Sequence, residues 1–267
     1  MTGGVIPALL LSTLAGLSTT VGSLIAMFSR RDDTRFLAVS LGFSAGVMVS
    51  VSFAELLPEA QKNLSVTLGA HGSAMSILFL VIGIAVAAFI DVAIPDGSTK
   101  SKHNQTAKAD GGSKVSESMM HMGIVTAVAI TVHNFPEGIA TFMAGYADIR
   151  IGLPVALSIA MHNIPEGIAV SVPVFYGTGS RAKAFLTSAL SGLSEPLGAL
   201  LAYLCLAPFM NETMLGAVFG TVAGIMIYIA FAELIPASQR YGRPRAAVAG
   251  ILAGALVMLF AMMALGS

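Results

Sequence analysis

Two six-residue segments, HNFPEG at 133–138 and HNIPEG at 162–167, place an imidazole, an amide and a carboxylate together inside apolar stretches of the chain. On a helix His133 and Glu137 stand four residues apart and Asn134 and Glu137 three, so the three side chains share one face. His162, Asn163 and Glu166 repeat that face. Brought together, the two faces offer imidazole nitrogens, amide oxygens and a pair of carboxylates. An ionised carboxylate near the centre of a bilayer costs at least about 2.5–3.5 kcal/mol, so it needs a partner or a wet cavity. The apolar stretches also carry Glu55, Asp91, Glu195 and Glu233 but no Lys or Arg, and the missing partner is therefore expected to be a cation. A proton, an alkali ion and a divalent metal are the candidates. Mixed nitrogen and oxygen donors suit first-row divalent metals such as Zn²⁺ or Fe²⁺, whereas an alkali-ion site normally uses oxygen alone.

Proline stands beside Glu137, Glu166 and Glu195. Pro136 and Pro165 lack an N–H and free the carbonyls of Val132 and Met161, which at membrane depth must lie in protein or beside a water-filled cavity. Gly138 and Gly167 then permit close backbone approach. In SGLSEPLGA, Glu195 is directly followed by a proline and could add a third carboxylate to the same centre. The plainer alternative is a pair of kinked helices whose polar groups bond only one another, and the antiparallel duplication of the motif speaks against it.

The elements that must position these residues are membrane helices. Hydrophobic residues make up 55% of the 267 and charged residues 10%, a balance no water-solvated domain is expected to have, and the mean hydropathy is +0.84. A formal net charge of +0 gives no reason to expect nucleic acid as a partner. The single cysteine, Cys205, excludes an intrachain disulfide and a Cys-based metal site. The first apolar run lacks a basic n-region and is too long for a signal peptide. At about 20 apolar residues per crossing, the chain reads as an all-α polytopic membrane protein of one domain. Its eight spans are expected near 5–28, 36–57, 73–94, 118–144, 151–174, 184–207, 213–237 and 246–265, with a polar loop at 96–118.

Loops after odd-numbered spans hold 12 of the 14 Lys and Arg residues, which by the positive-inside rule makes them cytoplasmic and turns both termini outward. Span 2 reads SAGVMVSVSFAELLPEA and span 7 VAGIMIYIAFAELIPAS, an even and an odd span, so the matched helices run in opposite directions. Spans 1–3 mirrored by 6–8, with 4 and 5 between them, form an inverted 3+2+3 repeat, and such repeats place substrate sites near the midplane. By that symmetry Glu55 and Glu233 could line an entrance and an exit. His71, His103 and His121 lie in or near predicted loops and read as solvated or structural.

The duplicated HN-x-PEG motif followed by SGLSEPLG strongly resembles the ZIP divalent-metal transporters, over most of the chain. The resemblance implies a two-metal centre. Its zinc-favouring site would comprise His133, Glu137, His162 and Glu166, with Met48 of GFSAGVMVS adding a thioether. An adjoining site associated with Fe²⁺ would comprise Asn134, Glu137, Asn163, Glu166 and Glu195, with Glu137 and Glu166 bridging the two. It further implies uptake of Zn²⁺, Fe²⁺, Mn²⁺ and Co²⁺ into the cytoplasm across a bacterial inner membrane by alternating access, no resident cofactor beyond the transported Zn²⁺ and Fe²⁺, and a homodimer as one possible assembly. Many members carry a His-rich loop between spans 3 and 4, but here that loop holds only His103. Two other functions are weighed against transport of divalent metal. An intramembrane zinc-dependent hydrolase would need an open coordination position and usually HExxH, which is missing. A proton or Na⁺ carrier would gain little from paired imidazoles.

Overall fold

In the computed structural model, residues 4–28, 30, 33–94, 111–206, 211–240 and 242–265 are described. Among them no strand occurs, and helices account for nearly every residue. The chain runs through α1 (Val5–Met27), α2 (Thr34–Val51), a π turn at Ser52–Leu56, α3 (Leu57–Leu68), α4 (Gly72–Ala93), α5 (Gly111–Ala147) and α6 (Ile149–Thr178). It continues through α7 (Arg181–Gly192), α8 (Ser194–Leu201), a π turn at Ala202–Leu206, α9 (Glu212–Tyr228), a π turn at Ile229–Leu234, α10 (Ile235–Gln239) and α11 (Pro244–Leu265). Side-chain caps set several starts. Asp33 accepts from the N–H groups of Arg35 and Phe36, Asp148 from Arg150, Ser180 from Lys183 and Asn211 from Met214. Gly179, left-handed at φ 71°, ends α6.

Six stretches among the described residues are long and apolar enough to cross a membrane: Val5–Ile25, Thr34–Ala93, Gly152–Thr178, Arg181–Cys205, Glu212–Gln239 and Pro244–Ala264. The chain is thus a multi-pass, all-helical membrane protein. The 60-residue stretch Thr34–Ala93 turns at Gly69, whose φ is 55°, and α3 then packs on α4. Helix α5 stands outside the six because His133, Asn134 and Glu137, with Glu117 and His121, dilute its apolar run.

Several boundaries differ from those expected. Helix α5 begins at Gly111 rather than at 118, so part of the predicted polar loop is helical, and α2 with α3 runs on to Leu68 rather than stopping near 57. Sequence punctuation misled here, because Pro58 sits at the first turn of α3, where its missing N–H costs nothing. The expected span at 184–207 matches the stretch Arg181–Cys205, within which one residue, Leu193, interrupts the regular helix two residues before Glu195 and three before Pro196. The remainder of the predicted loop, with Lys100, Lys102, His103 and Lys108, lies outside the described residues.

The two FAEL segments share one local geometry. The N–H of Leu57 bonds to the carbonyl of Ser52, and that of Ile235 to Ala230, each five residues back, and a proline follows at Pro58 and Pro236. A proline ring collides with the carbonyl four residues earlier in a regular helix, and widening the turn by one residue relieves the collision.

Packing divides the helices into two groups. Helices α1, α5, α6, α7 and α8 lie against one another, while α2 packs on α11 and α9 on α3 and α4. Helix α2 also rests on α6 and joins the groups. Small residues make the contacts within each group close: a Cβ on Gly83 would strike the carbonyl of Thr221, and one on Gly224 that of Leu80. Replacing Gly83 by Val should therefore destabilise the α4–α9 contact by about 1–3 kcal/mol. A lowered thermal unfolding midpoint in detergent is the expected result, and an unchanged midpoint would contradict this packing.

Candidate metal centre

Helices α5 and α6 carry the two motifs as regular helix, with Pro136 and Pro165 inside them. The helices are packed along each other, and their polar faces meet. His133, Asn134, Glu137, His162, Asn163, Glu166 and Glu195 are all buried, none more than 3% exposed. Glu137 lies between the rings: its Oε1 is 3.2 Å from Nε2 of His133 and 2.8 Å from Nε2 of His162. Oε1 of Glu166 is 3.0 Å from Nε2 of His133. The imidazole centroids are 6.4 Å apart and tilted by 44°. One donor atom each from His133, His162 and Glu166 falls within 4.8 Å of the others, a spacing that one ion can span.

The amides extend this cluster. Asn163 donates from Nδ2 to Oε1 of Glu195 at 2.6 Å and to the Ala15 carbonyl of α1 at 3.0 Å. Asn134, with its NH₂ turned toward acceptors, donates to the Ile130 carbonyl at 3.0 Å and to Oε2 of Glu166 at 3.1 Å. The break between α7 and α8 sets Glu195 in the first turn of α8, where free N–H groups favour a carboxylate. A Cβ on Gly138 would strike the Glu195 carbonyl, and one on Gly198 the carbonyl of Phe135, so glycine at both positions lets α5 and α8 touch.

Several buried donor atoms have no hydrogen-bond partner: Nδ1 of both histidines, Oε2 of Glu137 and Glu195, and Oδ1 of Asn163. Unsatisfied polar atoms at this density are costly in a protein interior unless a ligand completes them. Residues 118–149 and 151–174 contain no Lys or Arg that could do so.

The remaining expected ligand, Met48, stands on α2. Met48 is buried in the hydrophobic core on α2. One turn before it on the same helix, Ser44 donates to the Pro165 carbonyl at 2.7 Å, so that face of α2 rests on the α6 motif. The carbonyl of Val132 was expected in protein or beside a water-filled cavity, and the cavity of about 230 Å³ that Val132 and Pro136 border is lined by apolar residues of α9 such as Val218 and Ile225. Asp91, His121 and Glu233 sit apart from the centre. They line a polar cavity of about 240 Å³ with Arg240, where Tyr228 donates to Asp91 at 2.8 Å and His121 lies 3.1 Å from the Ile94 carbonyl. Sequence reasoning missed Ser158, which donates to Oε1 of Glu55 at 3.0 Å, and the Ala15 carbonyl. A serine in an apolar helix and a backbone oxygen carry no signal in a sequence.

The family profile described as ZIP Zinc transporter matches residues 91–262. Curated relatives named zinc transporter ZupT align along nearly the whole chain. That of Lysinibacillus sphaericus is 49% identical over 99% of this chain and 100% of its own length. That of Streptococcus mutans is 47% identical over 96% of each, and that of Chlorobium chlorochromatii 46% over 98% of this chain and 99% of its own. These relatives are transporters, not enzymes. With the duplicated motif, the helical membrane architecture and this similarity along its length, the chain belongs to the ZIP zinc transporter family.

Proposed function

We propose that this protein carries Zn²⁺, and with it Fe²⁺, Mn²⁺ and Co²⁺, through the cytoplasmic membrane into the cell by alternating access. The observation that carries the reading is the position of Glu137 Oε1 within 3.2 Å of one imidazole Nε2 and 2.8 Å of the other, in a site with no Lys or Arg. Two carboxylates and two imidazoles so arranged leave a negative charge that a dication neutralises. Metal is the cargo here, and no resident cofactor is invoked.

In this reading His133, Glu137, His162 and Glu166 hold Zn²⁺. An adjoining site of Asn134, Glu137, Asn163, Glu166 and Glu195 suits the harder Fe²⁺, because its donors are oxygens. Glu137 and Glu166 bridge the two. The contacts of Glu166 with both His133 and Asn134 support that double role. Met48, one turn along α2 from Ser44, would add a thioether from the face that rests on α6. Seven donor residues around the two ions leave no open position for hydrolysis, and paired imidazoles add nothing for Na⁺.

The reading also includes eight spans, an inverted 3+2+3 repeat and both termini outward. Matching π turns before Pro58 and Pro236 support the repeat, and the one-sided distribution of Lys and Arg supports the orientation. For alternating access, α1 and α5–α8 move as one body carrying the site against α2–α4 and α9–α11. The support is that every close glycine contact among the described residues lies within one of these groups, and none joins the two. A homodimer is compatible with this arrangement.

Three outcomes are expected in proteoliposomes loaded with a metal indicator. Glu166→Ala should reduce Zn²⁺ uptake by at least about tenfold, since removing a ligand strands the remaining charges. Glu195→Gln should depress Fe²⁺ uptake more than Zn²⁺ uptake, and equal losses would refute separate sites. Imidazole must be neutral to bind metal, so protons compete with the cargo increasingly as external pH falls. Initial Zn²⁺ uptake should accordingly be lower at pH 5.5 than at pH 7.5, and a flat profile would count against imidazole ligation.

A further inference from the structure

Glu55 is an acidic residue that the ligand set leaves unused, although it contacts the site-bearing helix α6. It lies in the π turn Ser52–Leu56, between α2 and α3. One oxygen, Oε1, accepts from Ser158 of α6 at 3.0 Å. Its other oxygen, Oε2, is buried and has no hydrogen-bond partner. Ser158 precedes His162 by four residues on α6, one turn or about 6 Å along the axis. Unlike the seven buried residues of the centre, Glu55 is partly exposed, so it touches both the site-bearing helix and the space outside it.

Its direction from the centre is defined by two contacts. Ser44 of α2 meets Pro165, and Glu55, further along the same rod, meets Ser158. The two helices therefore run antiparallel, and Glu55 lies toward the start of α6. Under the orientation proposed above, that end faces outward.

We propose that Glu55 is a capture ligand: it takes the incoming divalent cation from the outer side and passes it to His162. The proposal rests on the transport reading given above. The free oxygen supplies a donor for a partly hydrated cation, and Ser158 holds the carboxylate toward α6. A hydroxyl alone does not compensate an ionised carboxylate at membrane depth, whereas a transient dication does. Because Glu55 and His162 belong to different helix groups, the cation would pass from one body to the other at this step.

The test is Zn²⁺ uptake by proteoliposomes containing native protein, Glu55→Gln, Glu55→His or Glu166→Ala, read as KM and maximal rate. The amide oxygen of Gln can still accept from Ser158 but binds a metal poorly. Glu55→Gln should raise KM about tenfold with a maximal rate within about twofold of native. Glu55→His, which restores a metal donor, should bring KM back to within about threefold of native. An unchanged KM in Glu55→Gln, or equal impairment by Gln and His, would make the residue only a clamp between α2 and α6 and overturn the proposal. If Glu55→Gln does not fold, Glu55→Leu takes its place against Glu55→His under the same criteria. Failure of the transport reading is separate: native protein would then take up no Zn²⁺, or Glu166→Ala would transport as native does.

Discussion

Carboxylates confined among apolar helices without a Lys or Arg to neutralise them are the constraint on which the rest of this structure depends. Glu137 stands between two imidazoles, Glu166 touches a third donor group on the facing motif, and Glu195 is held by Asn163. Such a cluster tends to repel itself or to take up protons unless a cation enters it. The prolines, the break at Leu193 and the small residues at Gly138 and Gly198 all act to bring the backbones near enough for the donors to converge.

The same geometry bears on motion. A site held by α5, α6 and α8 and tied to α1 through the Ala15 carbonyl belongs to one helix group. Displacing one member alone would break these buried polar contacts, so movement of the whole group is the less costly change. Side chains dominate the contacts between the groups, as at Ser44 with Pro165 and Ser158 with Glu55. Hydrogen bonds of this kind can be exchanged in steps, whereas helices in backbone contact cannot slide without collision.

Much of this was legible in the sequence, for identifiable reasons. The spacing of His133 with Glu137 and of His162 with Glu166 fixes their shared faces whatever the surroundings, and burial together follows from the cost of exposing them to lipid. Helix ends were less legible. Gly111 starts α5 inside a segment rich in Gly, Ser and Lys, and α3 carries Glu59, Lys62 and Asn63 beyond the apolar run, because packing on α9 and α4 sustains a helix that composition alone would end. Pairings across the fold, such as Asn163 with Ala15 or Glu55 with Ser158, depend on which helices become neighbours, and one sequence does not specify that.

The central claim is that a divalent cation sits between α5 and α6. Anomalous diffraction from crystals grown with Zn²⁺, recorded on both sides of the zinc absorption edge, addresses it most directly. The account predicts a zinc peak within bonding distance, roughly 2.0–2.2 Å, of His133, His162, Glu137 and Glu166. Zinc peaks only at the protein surface, with the two imidazoles and carboxylates bonded solely to one another, would contradict it.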